Sequence, residues 1–184
     1  MVKRLAAATL VLALTGATGI AGQAERKDKQ IYNDISKQVN RYTRFTVFDD
    51  INVAIDDGGV VTLTGKVTMP YKRNDIASRV SRVDGVSQVR NQIEVLPVSM
   101  FDEELRYKIA RAIYGNPSFW QYASRANPPI HIIVDRGRVT LTGVVNSNVE
   151  RMLARSLATS FGAFSIKNDL KTDAEVQAEL ERMD

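Results

Sequence analysis

The sequence predicts an α+β protein of two tandem α-β-β-α-β domains, each a small three-stranded mixed sheet with two helices on one face. Residues 51–67 recur as residues 130–145, and Val-Thr-Leu-Thr-Gly is identical at 61–65 and 139–143. Before each repeat, apolar residues recur at every fourth position, as on one face of a helix, whereas within it they alternate as in a strand. Two copies of about 70 residues indicate tandem domains rather than a solenoid.

Each copy is expected to begin with a helix and to continue into a hairpin. Ser99, three residues before Asp102, indicates the cap of the second copy's first helix. Glycines mark the two hairpin turns, at 57–59 and 135–137. Gly65 and Gly143 are expected where a helix approaches the sheet closely. The predicted core faces are Ile31, Ile35 and Val39 or Leu105, Ile109 and Ile113 in the helices, and Ile51, Val53, Ile55, Val61, Leu63 and Val67 in the first hairpin.

The second helix and the last strand complete each copy. Pro70 is a favourable first-turn residue in copy one. In copy two, Ser147 and Glu150 have the spacing of a capping box. The last strand places Asn91 and Asn168 inward among apolar residues, where a buried amide needs partners. We expect each asparagine to bind neighbouring backbone, although a polar contact with a ligand is the alternative. The predicted helix cores are Ile76, Val80 and Val83 in copy one, and Leu153 and Leu157 in copy two.

The N-terminal residues have the pattern of a secretory signal peptide. Lys3 and Arg4 precede an apolar run that ends at Ile20, and small residues Gly22 and Ala24 follow. This run is shorter than the roughly 20 residues that a membrane span needs. We therefore expect cleavage near Ala24 and export of the remaining chain. The predicted division is a signal peptide at 1–24, domains at 28–97 and 98–171, and an acidic, helical tail at 172–184.

The composition argues against an enzyme and against a protein that binds nucleic acid. The chain of 184 residues has no Cys and one His, so thiol nucleophiles, thiolate zinc sites and multi-histidine cages are not expected. Without residues 1–24 it carries 23 basic and 21 acidic residues. A protein that neutralises many phosphates usually concentrates positive charge, and this balance gives no such sign. No cofactor and no nucleic-acid partner are predicted.

At these residues the chain closely resembles the BON-domain family. An extended strand, an Asp-Gly turn, Val-Thr-Leu-Thr-Gly, a helix, and then Gly-Val-x-x-Val-x-Asn-x-Ile carry the resemblance, which covers nearly all of 28–171. Copy one matches throughout, whereas copy two keeps only Gly162 and Asn168 of the final stretch. The resemblance implies a non-enzymatic role in envelope integrity, stress response or transport, with phospholipid as the usual proposed ligand. Some relatives are lipoproteins, and this chain lacks the cysteine that they need, so the resemblance implies a periplasmic protein without a lipid anchor.

Two other features have ordinary structural interpretations. Strand alternation places His131 on the outer face of its strand, and no second titratable group lies at motif spacing, so we expect a surface histidine and nominate no general base. Asp56, Asp57 and Asp135 lie at the hairpin turns. They lack the spaced oxygen ligands of a calcium loop, and a structural turn is expected.

The two copies differ most between the first helix and the hairpin, where copy two is longer. The additional residues fall within Gly115–Tyr122, which holds the only Trp. Aromatic rings beside cations suit a membrane interface with anionic lipid. The alternative is that Phe119 and Trp120 close the core of copy two. A basic patch on copy one's second helix (Lys72, Arg73, Arg79, Arg82) is expected to be a solvated face. The candidate lipid- or partner-binding residues are Phe119, Trp120, Tyr122, Lys108, Arg111 and Arg125.

The first functional hypothesis is a periplasmic module that binds anionic phospholipid weakly and peripherally. The second is a protein-binding adaptor of an envelope complex, which would dock a partner through the same aromatic surface or through an exposed sheet edge. Lipid headgroup binding should fade with salt, whereas an apolar protein contact should persist.

Overall fold

The computed structural model describes residues 28–56 and 58–182, so the predicted signal peptide and Asp57 lie outside the described residues. The first domain contains α1 (Asp28–Asn40), β1 (Asp50–Asp56), β2 (Val60–Val67), α2 (Pro70–Val80), β3 (Gln88–Asn91) and β4 (Glu94–Val95). The second contains α3 (Met100–Tyr114), a 3₁₀ turn (Pro117–Phe119), α4 (Trp120–Ala123), β5 (Ile130–Asp135), β6 (Arg138–Val145), α5 (Asn148–Ala158), a 3₁₀ turn (Thr159–Phe161), β7 (Ser165–Asn168) and β8 (Lys171–Thr172), followed by α6 (Asp173–Glu181).

Both sheets have the predicted mixed topology. β1 is antiparallel to β2, and β3 and β4 are both parallel to β2. The second sheet repeats this arrangement, with β5 antiparallel to β6 and β7 and β8 parallel to it. β3 and β4 are two parts of one interrupted third strand, because they lie along successive parts of β2. The predicted α+β fold of two repeated domains is confirmed.

Each domain has its own apolar core between the sheet and the helices. The predicted core residues of both first helices and of β2 are buried. In α5 the fully buried residues are Ala154 and Ala158, whereas Leu153 and Leu157 pack at the margin of the core. The small alanines allow α5 to lie close to the sheet. The core of the first domain comprises Ile31, Ile35, Val39, Tyr42, Val61, Leu63, Val67, Ile76, Val80, Val83 and Ile93.

The helix starts follow the predicted capping chemistry with one exception. The Ser99 hydroxyl accepts a hydrogen bond from the Asp102 N–H, and the Ser147 hydroxyl accepts one from the Glu150 N–H. The second half of the capping box at Ser147 is absent from the described contacts, because the Glu150 carboxylate accepts instead from the Asn146 N–H at 2.9 Å. The Glu150 carboxylate thus binds the N–H of the residue before the N-cap, and not that of the N-cap Ser147 itself.

The expectation that a helix packs against Gly65 and Gly143 is wrong. Both residues have φ values above +100°. A Cβ at Gly65 would lie 2.2 Å from the Asp50 carbonyl oxygen, and one at Gly143 would lie 1.8 Å from that of Pro129. The close neighbour is therefore the backbone where the paired strand begins, and glycine is required by this approach and by the positive φ.

The two domains contact each other through the segment that leads into β1. The Ile132 N–H donates to the Val47 carbonyl at 2.7 Å, so the turn at residues 46–49 contacts the outer edge of β5. Phe48 packs against the core of the second domain. Lys66 and Asp135 form an ion pair at 2.5 Å between the domains.

The acidic tail contains α6, which begins with a complete capping box. The Thr172 hydroxyl accepts from the Glu175 N–H, while the Glu175 carboxylate accepts from the Thr172 N–H. Arg151 of α5 contacts the same carboxylate at 3.0 Å. Across the described part of the chain, no helix combines the length and apolar character needed to cross a membrane.

Candidate functional site

The aromatic segment predicted as a binding surface forms two short helical turns. Asn116 caps the 3₁₀ turn, its side-chain oxygen accepting from the Ser118 N–H at 3.0 Å. Pro117 occupies the first position of that turn, where its missing N–H costs nothing. α4 follows directly and presents Trp120 and Tyr122 two residues apart, which in a helix places them on different faces.

Phe119 and Tyr122 are core residues, so the expectation that they are available for binding is wrong. Phe119 is fully buried and Tyr122 is 1% exposed, with ring centroids 6.0 Å apart. Both belong to the apolar core of the second domain, which they close at the end of α3. The additional residues of copy two therefore complete a core, as the alternative interpretation of the segment predicted for Phe119.

Tyr122 also ties α4 to the start of α5. Its hydroxyl donates to the Glu150 carboxylate at 2.5 Å and accepts from the Asn146 N–H at 2.8 Å. Burial and the hydrogen bond to the neighbouring carboxylate raise the pKa of Tyr122 to about 12. The phenol is therefore protonated at neutral pH and is a structural donor.

Trp120 is the ring that the segment presents to solvent. Its side chain is 73% exposed, although the preceding residue is buried. The Arg125 guanidinium lies 5.3 Å from the centroid of the Tyr122 ring, a cation–π distance, and Arg125 itself is exposed. Of the six candidate residues, Trp120 is therefore exposed on this segment, and Arg125 is exposed shortly after it.

The remaining two candidates lie on the solvent face of α3. Lys108 forms an ion pair with Glu104 one helical turn earlier, at 2.7 Å, with both side chains more than half exposed. Such an exposed pair contributes little to stability and is readily exchanged for another partner. Arg111 is exposed on the same face, three residues further along the helix.

The predicted solvated patch on α2 is wrong for Lys72, which is buried. Its ammonium lies 2.6 Å from the Asp49 carboxylate, which is fully buried. Asp49 also accepts from the backbone N–H and the hydroxyl of both Thr46 and Thr68. This fully hydrogen-bonded pair joins the segment before β1 to the first turn of α2.

His131 is half-buried between the domains rather than on the surface. The first domain covers it: its ring centroid lies 5.3 Å from that of Phe45. Its Nδ1 is buried and has no hydrogen-bond partner within the described ranges. Desolvation lowers the pKa of His131, against the opposing effects of Asp50 and Asp49. Strand alternation gave its face correctly, but a single strand pattern carries no information about a second domain that packs there.

The inward asparagines bind neighbouring backbone, and Asp135 of the second hairpin turn forms an ion pair. The Asn91 amide donates to the Arg73 carbonyl at 3.0 Å, and the Asn168 amide donates to the Arg151 carbonyl at 2.8 Å. Each thus ties the third strand to the second helix. Asp135 is paired with Lys66. The described residues contain no group of three His, Cys, Asp or Glu side chains that could hold a metal ion.

The sequence analysis did not identify an exposed aromatic pair at the opposite end of α3. The rings of Phe101 and Phe164 stack with centroids 6.0 Å apart, and Phe164 is 78% exposed. Gly137 lies beneath them, because a Cβ there would be 2.6 Å from the Phe164 ring. The two phenylalanines are far apart in sequence, so only the fold brings them together.

Comparisons with known proteins give one family match and two solved structures of low similarity. The BON-domain family model matches the chain twice, at residues 27–97 and 102–174. A solved structure of CdsD, a structural protein of the type III secretion system of Chlamydia trachomatis, has 13% sequence identity and a TM-score of 0.29, covering 83% of this chain and 97% of that one. The C-terminal domain of CdsD has 13% identity and a TM-score of 0.28, covering 75% and 94%. No curated protein was found to match.

The two family matches together span well over half of the chain, which therefore belongs to the BON-domain family as a tandem member. BON domains are non-catalytic binding modules, typical of periplasmic and envelope-associated proteins. The fold and the family thus define this chain as an envelope-associated binding module.

Proposed function

We propose that this chain is a non-enzymatic, periplasmic module, exported with cleavage near Ala24, that binds anionic phospholipid weakly and peripherally. The observation that carries the proposal is the position of Trp120. Its ring is largely exposed, while Phe119 and Tyr122 on either side are anchored in the core. An indole held on a rigid turn suits the headgroup depth of a bilayer, where its apolar ring and its polar N–H both find partners.

Three exposed cations of the second domain would supply the preference for anionic lipid. Arg125 follows it by five residues and is exposed, and Arg111 and Lys108 lie on the adjoining helix. Lys108 is held by the exposed pair with Glu104, which a lipid phosphate can replace. Each basic residue near an anionic surface contributes about 1 kcal/mol.

The expected affinity is low because one ring, not two, is available. Burying one aromatic ring contributes roughly 1.5–3 kcal/mol. Association entropy and side-chain ordering offset part of this gain. The sum corresponds to reversible, salt-sensitive attachment rather than anchoring.

Sedimentation with vesicles tests the proposal directly. Residues 25–184 should pellet with anionic vesicles at low salt, less at high salt, and not with neutral vesicles. Trp120→Ser should lose most of this pelleting and remain folded by circular dichroism, because the side chain is exposed. Phe164→Ser is the matched control, since it removes an exposed ring at the other end of the domain. Wild-type protein that stays in the supernatant with every vesicle would refute lipid binding.

The second candidate function is a protein-binding adaptor without lipid contact. The stacked and exposed pair of Phe101 and Phe164 favours it, because an apolar surface of this kind is typical of protein interfaces. Binding to an envelope protein through these rings should persist at high salt and should be lost in Phe164→Ser but not in Trp120→Ser.

A further inference from the structure

The only histidine of the chain lies among the contacts that join the two domains. His131 precedes Ile132, whose N–H donates to the Val47 carbonyl of the first domain at 2.7 Å. On the neighbouring strand it is opposite Thr142, whose hydroxyl donates to the Asp50 carboxylate at 2.8 Å. Two hydrogen bonds between the domains therefore start from residues that are direct neighbours of His131.

The surroundings of the His131 ring suit a neutral imidazole. An aromatic ring of the first domain, Phe45, covers it with centroids 5.3 Å apart. The Nδ1 atom is buried, and among the described residues it has no hydrogen-bond partner. A protonated imidazole is a donor at both nitrogens, so charging the ring here would leave a buried donor without an acceptor.

The charged groups that face His131 do not compensate for its lost hydration. Asp50 and Asp49 favour the charged ring, as does the backbone of Asp49 and Thr46, but desolvation outweighs them and lowers the pKa of His131. The Asp49 carboxylate is also paired with Lys72. The other charged residues that line the groove beside His131 have partners of their own, and the phenol of Tyr32 completes the titratable lining: Lys66 (with Asp135), Arg151 (with Glu175), Asp169 (with Lys167), Lys171 (with Glu179) and Arg182 (with the Ala178 carbonyl).

We infer that His131 is a pH-dependent switch of the contact between the domains: the neutral ring allows the first domain to dock on the second, and protonation of the ring releases it. A proton on the ring is desolvated in the docked form and hydrated when the domains separate. The proton therefore binds more tightly to the separated form, and by linkage it shifts the equilibrium toward that form.

The direction of the effect follows from where each form takes up its proton. An exposed histidine is protonated near pH 6.5, whereas the covered ring stays neutral to a lower pH. Docking is therefore independent of this group above about pH 6.5 and weakens as the pH falls below that value. The switch involves none of the residues of the lipid proposal, so either can fail without the other.

Release of the contact would uncover apolar surface that the neutral protein keeps covered. Phe48 packs against the core of the second domain, and its ring lies 5.2 Å from that of Tyr107 on α3 in an edge-to-face contact. Separation of the domains removes this packing from Phe48. The expected result of acidification is thus an opened molecule with an exposed phenylalanine on the turn before β1.

Hydrogen exchange of the Ile132 N–H measures the opening, because this N–H is bonded across the contact. In residues 25–184 its protection factor, corrected for the intrinsic effect of pH on exchange, should fall by up to about tenfold between pH 7.5 and 5.5. The Ile133 N–H points toward β6 by strand alternation and should keep its protection. An NMR titration of the single imidazole should give a pKa below about 6.5.

A variant without the titrating group separates the switch from other effects of pH. His131→Gln retains a polar side chain that carries no charge at either pH, so its Ile132 protection factor should be equal at pH 7.5 and 5.5. Lys167→Gln is the matched control, since it removes an exposed cation from the same face of the second sheet. It should show the same fall as wild type.

Four results would overturn the inference. They are equal protection of Ile132 at both pH values in wild type, an undiminished fall in His131→Gln, a His131 pKa at or above about 6.5, and an equal loss of protection at Ile133, which would indicate unfolding of the domain instead of separation. If His131→Gln leaves Ile132 unprotected at both pH values, the titration of the wild-type ring and the exchange of wild-type Ile132 and Ile133 decide.

Discussion

At the scale of single residues, the two domains close the same junction with different chemistry. In the first domain the Asp49 carboxylate accepts from the Thr68 N–H and pairs with Lys72. In the second domain the position of Lys72 is Glu150, and its partner is the Tyr122 hydroxyl. Both arrangements pin the segment before the hairpin to the first turn of the second helix. The repeat thus preserves a connection while exchanging an ion pair for a phenol and a carboxylate.

Tyr122→Phe tests this connection through its dependence on pH. The pKa of Tyr122 rises to about 12 from a value near 10 in the unfolded chain, so the folded protein retains a proton that the unfolded chain releases. Its contribution to stability is therefore complete below about pH 10 and is lost as the pH rises through about 12. Tyr122→Phe should cost about 1 kcal/mol at neutral pH and should lose less stability than wild type on alkalinisation. Urea unfolding followed by circular dichroism measures both effects. If wild type and Tyr122→Phe lost equal free energy of unfolding as the pH rises, the account would be contradicted.

Single residues also show which structural features can be predicted from local sequence patterns. Alternation and helical periodicity identified the core of α1, α3 and β2, because burial on one face follows directly from local geometry. They could not separate Trp120 from Phe119, since neighbours in a short irregular turn follow no long period. Lys72 was misplaced for a related reason: its partner Asp49 is 23 residues away, and only the fold brings the two charges together.

At the scale of elements, each hairpin depends on one glycine in its returning strand. Gly143 has φ +107°, and the Pro129 carbonyl approaches where a side chain would begin. Gly162 also has a positive φ, +79°, but open space surrounds the position of its missing Cβ. Substituting Gly143 and Gly162 in turn therefore separates the free-energy cost of backbone strain from that of a steric clash.

Gly143→Ala should therefore destabilise the protein much more than Gly162→Ala. We expect at least about 3 kcal/mol for the clash combined with strain, and about 1 kcal/mol for strain alone. Chemical denaturation of both variants gives the comparison. Equal losses would mean that the hairpin moves freely away from Pro129, against the geometry described here.

At the scale of the whole molecule, the tandem domains share a structural segment. The residues before β1 belong to the first domain in sequence, yet Val47 and Phe48 complete the edge and the core of the second. The sequence predicted two domains joined by a short linker, and it gave no sign of this interface, since no pattern within one repeat records the surface of the other.

Phe48→Ala should consequently destabilise the second domain. Trp120 is the only tryptophan and lies in that domain, so its fluorescence reports unfolding there. We expect a loss of about 2 kcal/mol, less than for a fully buried phenylalanine. Val98→Ala, at a fully exposed linker position, should change stability by less than about 0.5 kcal/mol. An unchanged Trp120 transition in Phe48→Ala would show that the domains unfold independently.

The central claim, that Trp120 is the contact with anionic lipid, is tested most directly by the emission of that single tryptophan. On addition of phosphatidylglycerol vesicles to residues 25–184, its emission should move to shorter wavelength and be quenched by brominated acyl chains, and salt should reverse the change. Phosphatidylcholine vesicles should have little effect, and Phe164→Ser should respond like wild type. Emission that stays at its solvent-exposed wavelength with anionic vesicles at low salt would contradict the claim.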